Sequence, residues 1–130
     1  MLANSLAVAF GGAVGSLCRY WLSELFAALG LATFPWATIL ANVSGSFLIG
    51  LIATLTGPDG RVLASPETRL LLMVGFCGGY TTFSSFSLQT LALAREGNWS
   101  DASANVTLSL VVCLVAVWLG HITGVAVNRS

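Results

Sequence analysis

Long uncharged stretches of apolar residues are the feature that most constrains how this chain folds. Its ten charged residues leave four uncharged runs, at residues 1–18, 25–58, 70–94 and 102–128. An α-helix that crosses the hydrocarbon core of a bilayer requires about 20 predominantly apolar residues. Only 8% of the residues are charged and 56% are apolar, whereas a soluble domain is about a quarter charged. The sequence therefore predicts an integral membrane protein.

Glycine and proline divide the longest of these runs into the end of one helix and the start of the next, at Gly30 and Pro35. We therefore expect four transmembrane spans, at about residues 4–28, 36–56, 69–95 and 103–126. The connections between them are short, so residues 1–130 are expected to form a single all-α membrane domain.

The few positive charges exclude some partners and leave the orientation open. The chain has five arginines and no lysine, and it has no basic patch that could follow the phosphates of a nucleic acid. In a four-span chain, Arg61, Arg69 and Arg129 lie on one side of the membrane, and Arg95, either alone or with Arg19, lies on the other. This nearly even distribution of positive charge is compatible with two arrangements. The termini are cytoplasmic in every copy, or the chain inserts in both orientations and forms an antiparallel pair.

Pairs of glycines one helical turn apart predict where the helices pack. Such pairs occur at Gly11 and Gly15, at Gly75 and Gly79, and at Gly120 and Gly124. Within a bilayer, helices associate through small residues that let their backbones approach closely. We interpret the first and last pairs as packing surfaces.

The third span has a different composition, with two glycines, two threonines and three serines between residues 78 and 87. Glycine destabilises a helix interior by about 1 kcal/mol, and hydroxyl side chains compete for backbone hydrogen bonds. We expect the helix to break near residues 78–82. Unpaired backbone at that depth is tolerated only where it is buried in protein or lines a polar cavity, so the break predicts an ion site. A glycine-softened but continuous helix is the alternative.

The polar groups within the spans suit an anion better than a cation. Asp and Glu, which cation pathways usually display, are absent from the centres of the spans, whereas hydrogen-bond donors such as Asn42, Thr82, Ser84 and Ser109 are present. Phe83 and Phe86 share one helical face, and the positive edge of a phenyl ring can meet an anion. The chain has one histidine and no nucleophile–base pair or metal-binding cluster, so an enzyme is not expected.

Three motifs in order along the chain resemble the small bacterial fluoride channels of the CrcB/Fluc family. They are GGxxGSxxRY at residues 11–20, NxxGSFxxG at residues 42–50 and GFCGGYTTFSSF at residues 75–86. The resemblance implies a fluoride-specific channel that passively exports fluoride across the bacterial inner membrane. It also implies an antiparallel, dual-topology homodimer with two pores.

The resemblance also implies roles for individual residues. Phe83 and Phe86 would line the fluoride pore, together with the Asn42 amide and the Ser109 hydroxyl. Arg19 would lie in the vestibule and attract anions. A structural sodium ion on the dimer axis would be held by backbone carbonyls, which match Gly78 and Thr81 in this sequence.

The chain departs from the family pattern at Asn105, where the family often has a tyrosine. Two other functions remain open. A small dual-topology exporter of drugs or cations would have the same four-span layout, although it would be expected to carry a buried carboxylate. A membrane protein that transports nothing would also have this composition.

Overall fold

The computed structural model describes all 130 residues, and it contains helices and no strands. Helix α1 is Leu2–Ala28 and helix α2 is Trp36–Leu55. Helix α3 covers residues 66–80 and consists of an α-helical turn, Pro66–Arg69, a π-helical segment, Leu70–Cys77, and a last α-helical turn, Gly78–Tyr80. Helix α4 is Phe83–Arg95 and helix α5 is Trp99–Arg129. Helices α1, α2 and α5 cover most of residues 4–28, 36–56 and 103–126, and α3 and α4 together cover most of residues 69–95.

Two glycines in the left-handed backbone region end α1 and α4. Gly30 has a φ of 71° and Gly97 a φ of 79°. After Gly30, the Leu31 amide donates to the Phe26 carbonyl at 2.9 Å, which closes a Schellman motif. Residues with a side chain rarely adopt this conformation, so glycine determines where both helices stop.

Polar side chains begin the helices that follow the loops. The Ser65 hydroxyl accepts from the Thr68 amide at 3.2 Å, with Pro66 in the first turn. The Asn98 side chain accepts from the Asp101 amide at 3.4 Å at the start of α5. These caps supply acceptors to amides that have no partner within the helix.

Glycines allow the helices to pack in two close pairs, α1 with α3 and α2 with α5. A Cβ atom on Gly79 would lie 2.5 Å from the Gly12 carbonyl oxygen, and one on Gly75 would lie 2.9 Å from the Val8 carbonyl oxygen. A Cβ on Gly120 would lie 3.0 Å from the Leu51 amide nitrogen. Each of these positions therefore holds one backbone directly against another.

The helical path is interrupted between α3 and α4, at Thr81 and Thr82. Thr81 has φ −80° and ψ 158°, and Thr82 has φ −156° and ψ 116°, both extended. The interruption lies at the C-terminal end of the range 78–82 in which the sequence suggested a break, because Gly78 and Gly79 are still helical. Gly79 instead provides the close contact with α1, and the interruption falls on β-branched residues, which favour extended backbone.

Three helical segments are long and apolar enough to cross a membrane, namely Trp36–Leu55, Pro66–Arg95 with its interruption, and Trp99–Arg129. Helix α1, which carries Asn4, Arg19 and Glu24, is not among them. Only 17 of the 130 residues are buried, and most large apolar side chains face outward. That arrangement is expected where lipid rather than water surrounds the helices. The chain is therefore a multi-pass membrane protein.

The α1–α3 contact predicts that alanine lowers the stability of the protein at one glycine of α1 and leaves it unchanged at another. In Gly15→Ala, the new methyl group would lie 2.8 Å from the Tyr80 amide nitrogen and closer still to the Phe76 carbonyl oxygen. We expect overpacking to lower the free energy of unfolding by about 1–3 kcal/mol, measured by denaturant titration in detergent. Gly12→Ala is the matched control, because its nearest new contact is at 3.9 Å. Equal stability of the two variants would contradict this packing.

Candidate functional site

A cleft of about 370 Å³ lies beside the interruption, between α2, the end of α3, α4 and α5. Its wall includes seven of the residues that the sequence singled out: Asn42, Gly78, Thr81, Thr82, Phe83, Phe86 and Ser109. Two others, Ser84 and Arg19, lie outside the wall. None of the residues that line the cleft carries a charge. The fold therefore brings the predicted amide, hydroxyl and aromatic groups from three helices together in one neutral cavity.

The two phenylalanines of α4 form one part of this wall. Their ring centroids are 5.3 Å apart, and the ring planes are tilted by 55°. Phe86 is buried, with 8% of its surface exposed, whereas Phe83 is 73% exposed. Tilted rings direct positive edges and negative faces in different directions. Phe86 is thus fixed by its packing, while Phe83 forms an open edge of the cleft.

Asn42 connects α2 to the interruption through two hydrogen bonds. The Thr82 amide donates to Asn42 Oδ1 at 2.7 Å, and Asn42 Nδ2 donates to the Thr82 carbonyl at 3.1 Å. The side-chain amide therefore pairs with both the N–H and the C=O of Thr82, which has left the helix. In an apolar environment these two groups would be costly to leave unpaired. One N–H of Asn42 remains available to a second acceptor.

The carbonyl groups before the interruption fall into two classes. The Cys77 carbonyl accepts from the Thr81 amide at 2.9 Å and from the Thr81 hydroxyl at 2.8 Å. The Thr81 carbonyl accepts no hydrogen bond, and the Gly78 carbonyl loses its usual α-helical donor because the Thr82 amide binds Asn42. Gly78 is exposed, on the wall of the cleft. Carbonyl oxygens without donors are suitable ligands for a hard cation.

Arg19 contacts the end of α3. Its Nε donates to the Gly79 carbonyl at 3.3 Å, and the Ser16 hydroxyl donates to the same oxygen at 3.4 Å. A cation at the C-terminal end of a helix is favourable because of the helix dipole. This contact was not expected from the sequence, since Arg19 and Gly79 are 60 residues apart.

The start of α4 is capped by a cluster of hydroxyl groups. The Thr82 hydroxyl accepts from the Ser85 amide at 3.1 Å and lies 3.3 Å from the Ser84 hydroxyl. Ser84 is exposed and is not part of the cleft wall. Thr82 therefore serves both as the cap of α4 and as part of the cleft wall.

On α5, Ser109 and Cys113 both line the cleft. Asn105 lies one turn earlier and is fully buried, where it bonds to Ser109 and to Thr90 of α4. Sequence reasoning overlooked Thr90. Thr90 follows Phe86 by four residues and so lies on the same face of α4, and this spacing could have indicated that Thr90 lies near the cleft.

The Asn42 contacts predict a local effect of substitution. Asn42→Leu removes both hydrogen bonds and leaves the Thr82 backbone unpaired, so local opening becomes easier by about 1–3 kcal/mol. We expect faster hydrogen exchange in the peptide that contains Thr82, measured by mass spectrometry in detergent. Asn42→Asp keeps the acceptor and loses the donor, so its effect is intermediate. Ser46→Ala changes another polar residue of α2 in the same cleft and serves as the control; equal exchange in all variants would refute the role of Asn42.

Comparison with known proteins agrees with the resemblance seen in the motifs. The family model described as CrcB-like protein, Camphor Resistance (CrcB), matches residues 6–121. A protein of Rhodospirillum rubrum named fluoride-specific ion channel FluC is 60% identical over 125 residues, which cover 96% of this chain and 97% of the relative. Proteins with the same name from Paramagnetospirillum magneticum and Opitutus terrae are each 57% identical, over 94% and 95% of this chain and 95% and 93% of their own lengths. This chain belongs to the CrcB family.

Proposed function

We propose that this protein is a fluoride-specific ion channel that lets fluoride leave the cytoplasm passively. The observation that carries the proposal is the neutral cleft in which Phe83 and Phe86 lie beside Asn42 and Ser109. The names of the relatives, which match nearly the whole chain, support the same function. A channel changes no covalent bond, so the protein is not an enzyme.

The chemistry of the cleft suits a small anion that gives up its water. The Asn42 amide and the Ser109 hydroxyl replace the hydrogen bonds of water, and the ring edges of Phe83 and Phe86 add weak positive potential. The Thr82 hydroxyl in the same wall donates to the Ser85 hydroxyl at 3.1 Å. Conduction requires binding that is favourable enough for entry and weak enough for exit. A lysine or arginine in the wall would hold the anion too tightly. The neutral donors provide this intermediate strength.

Export follows from the acid–base chemistry of fluoride. Neutral HF crosses membranes from acidic surroundings and dissociates in the cytoplasm, where the ion is trapped. The membrane potential, negative inside, then drives the anion outward through a passive pore, at about 2.3 kcal/mol per charge per 100 mV. A proton-coupled exporter of drugs or cations is less well supported, because no carboxylate lines the cleft.

We propose four membrane-spanning segments, with α3 and α4 forming one interrupted crossing. The hydrophobic length of residues 66–95 supports a single crossing. The extended residues Thr81 and Thr82 are compatible with that depth, because Asn42 satisfies the Thr82 backbone and the cleft adjoins both residues. Helix α1 is the remaining span, packed against α3 through its glycines.

We propose that the functional unit is an antiparallel homodimer. Phe83 lines the cleft and yet is 73% exposed, and Gly78 is exposed beside it, so one side of the cleft is unfinished in a single chain. A second copy would complete the wall. The nearly even distribution of arginines supports insertion in both orientations. The bacterial relatives support the inner membrane of a bacterium as the location.

The residues at the interruption fit a structural sodium ion. The Thr81 carbonyl accepts no hydrogen bond, the Gly78 carbonyl has lost its usual helical donor, and Gly78 is exposed. Hard cations bind such oxygen atoms at unwound helix ends. When bound, sodium would supply a positive charge that joins the two copies. The carbonyl groups of Gly78 and Thr81 would hold it.

Arg19 fits a vestibule role less directly than its motif implies. Its side chain donates to the Gly79 carbonyl, so part of its hydrogen-bonding capacity serves the end of α3. A guanidinium has five N–H donors, and the others remain for anions. We propose that Arg19 both stabilises the end of α3 and raises the local anion concentration.

Fluoride flux from proteoliposomes tests the proposed function. The purified protein is expected to release fluoride and not chloride, recorded with ion-selective electrodes after potassium is made permeable with valinomycin. Phe83→Ile and Phe86→Ile should each lower the fluoride rate by about tenfold or more, because an aliphatic side chain has no positive ring edge. Phe10→Ile is the matched control, since Phe10 is exposed on α1 outside the cleft.

Equal release rates of fluoride and chloride would refute the selectivity. Undiminished fluoride flux in both Phe83→Ile and Phe86→Ile would show that these side chains only pack and do not line the ion path. Replacing sodium by an organic cation during purification tests the sodium site with the same assay. Fluoride flux that is independent of sodium would count against a structural ion.

Labelling of a terminal cysteine tests the antiparallel arrangement. In Ser130→Cys, a membrane-impermeant maleimide applied to intact cells is expected to label about half of the copies, because half of the C-termini would face outward. The unsubstituted chain is the control, since its cysteines, Cys18, Cys77 and Cys113, all lie within helices. Labelling of all copies or of none would exclude dual topology.

A further inference from the structure

A buried chain of hydrogen bonds links the two helices that contribute Phe86 and Ser109 to the cleft. Asn105, at 0% exposure, is the largest fully buried side chain in the protein. Its Nδ2 donates to the Thr90 hydroxyl at 2.9 Å, and the Ser109 hydroxyl donates to its Oδ1 at 3.4 Å. The Thr90 hydroxyl in turn donates to the Phe86 carbonyl at 2.8 Å. The chain therefore runs from Ser109 on α5 to Phe86 on α4.

The direction of every proton in this chain is determined at the Phe86 end. A carbonyl oxygen can only accept, so the single hydroxyl proton of Thr90 points to Phe86. The Thr90 oxygen must then accept, which places the Asn105 NH₂ group against it. The Asn105 oxygen consequently faces Ser109, and the Ser109 proton points away from the cleft.

The Ser109 bond is the weak member of the chain. At 3.4 Å it is longer than the 2.7–2.8 Å usual for hydroxyl donors. Ser109 lines the cleft, so an anion there competes with Asn105 for the same proton. A donor that must be withdrawn from a weak internal acceptor binds an anion less tightly than a free donor.

We propose that Asn105 is a positioning residue that weakens anion binding at Ser109, and that Thr90 fixes the orientation of its amide. Asn105 does not contact the ion. It keeps the Ser109 proton occupied between ions and holds α4 and α5 in register. This inference rests on the proposed channel function and concerns how fast an anion leaves the cleft.

Removal of the Thr90 hydroxyl would release this orientation. In Thr90→Val nothing accepts from the Asn105 NH₂ group on that side, and the amide is free to rotate and donate to Ser109. The Ser109 hydroxyl then becomes an acceptor towards Asn105, and its proton turns into the cleft. The anion site gains a free donor and should bind more tightly and release more slowly.

Fluoride flux measured against fluoride concentration tests the proposal. For Thr90→Val we expect the half-saturating concentration and the maximal rate both to fall, each by about threefold or more, as one additional neutral hydrogen bond implies. Thr90→Ser keeps the hydroxyl and should restore both values. A merely structural role of Thr90 would lower the maximal rate without lowering the half-saturating concentration, and that result would overturn the proposal.

Thr123→Val is the matched control. Thr123 is an exposed threonine of α5 that donates to the carbonyl four residues earlier at 2.8 Å, as Thr90 does, and it has no side-chain partner. Both kinetic values should stay as in the unsubstituted protein. Thr90→Ala, which adds no second methyl group, replaces the valine variant if that variant does not fold.

A second measurement separates the failure of this inference from the failure of the channel function. NMR of asparagine labelled with ¹⁵N in the side chain reports hydrogen exchange of the Asn105 amide without any transport. Exchange should be slow in the unsubstituted protein and in Thr123→Val, and faster in Thr90→Val. Unchanged exchange in Thr90→Val would overturn the proposal even if fluoride is conducted. If no fluoride passes, the channel function fails and this measurement alone decides the role of Thr90.

Discussion

The hydrogen bonds between the Asn42 side chain and the Thr82 backbone are the contact on which the rest of the site depends. An apolar surrounding offers no water to a residue that leaves a helix, so each freed amide and carbonyl has to find a partner within the protein. Asn42 carries a donor and an acceptor in one planar group and pairs with both. The chain can therefore turn at Thr81–Thr82, and α4 begins in a direction that brings Phe83 and Phe86 to the cleft.

Close approach of backbones supplies the rigid frame around this turn. Lipid provides no hydrophobic driving force for helix association, so the helices associate through van der Waals contact between closely packed backbones. Glycines on α1 and α3 bring those backbones together directly before the interruption, and glycines on α2 and α5 bring the backbones of those two helices together. The serine and arginine of α1 that donate to the Gly79 carbonyl complete the end of α3. The turn is thus held between two tightly packed pairs.

The polar groups of the cleft differ in how fully the protein occupies them. Both functional atoms of Asn42 already bind Thr82, whereas the Ser109 hydroxyl is held by one long bond and the Thr81 carbonyl by none. Groups that the fold leaves weakly bonded are the ones that can exchange partners with an ion at little cost. The anion that we propose would therefore use the Ser109 hydroxyl and the Asn42 N–H that Thr82 leaves free, and the proposed cation would use the carbonyls at the end of α3.

The sequence by itself predicted insertion into a membrane, the approximate positions of the helices and seven of the 15 residues that line the cleft. These follow from local or composition-based rules: uncharged runs of sufficient length, glycine at helix ends, and a cluster of glycine, threonine and serine where a helix is unstable. The motifs at residues 11–20, 42–50 and 75–86 also sufficed to indicate the family.

Only the tertiary structure decided which residues bear the interruption and how the polar side chains are paired. Gly78 and Gly79 both remain helical. Gly79 lacks a side chain where α3 contacts α1, whereas Gly78 lies at an exposed surface. The local sequence does not distinguish a glycine that breaks a helix from one that allows close packing. The pairing of Arg19 with Gly79, of Asn42 with Thr82 and of Asn105 with Thr90 joins separate helices. A hydrogen bond depends on distances of tenths of an ångström between atoms that the sequence places many residues apart, so it is settled only when the helices pack.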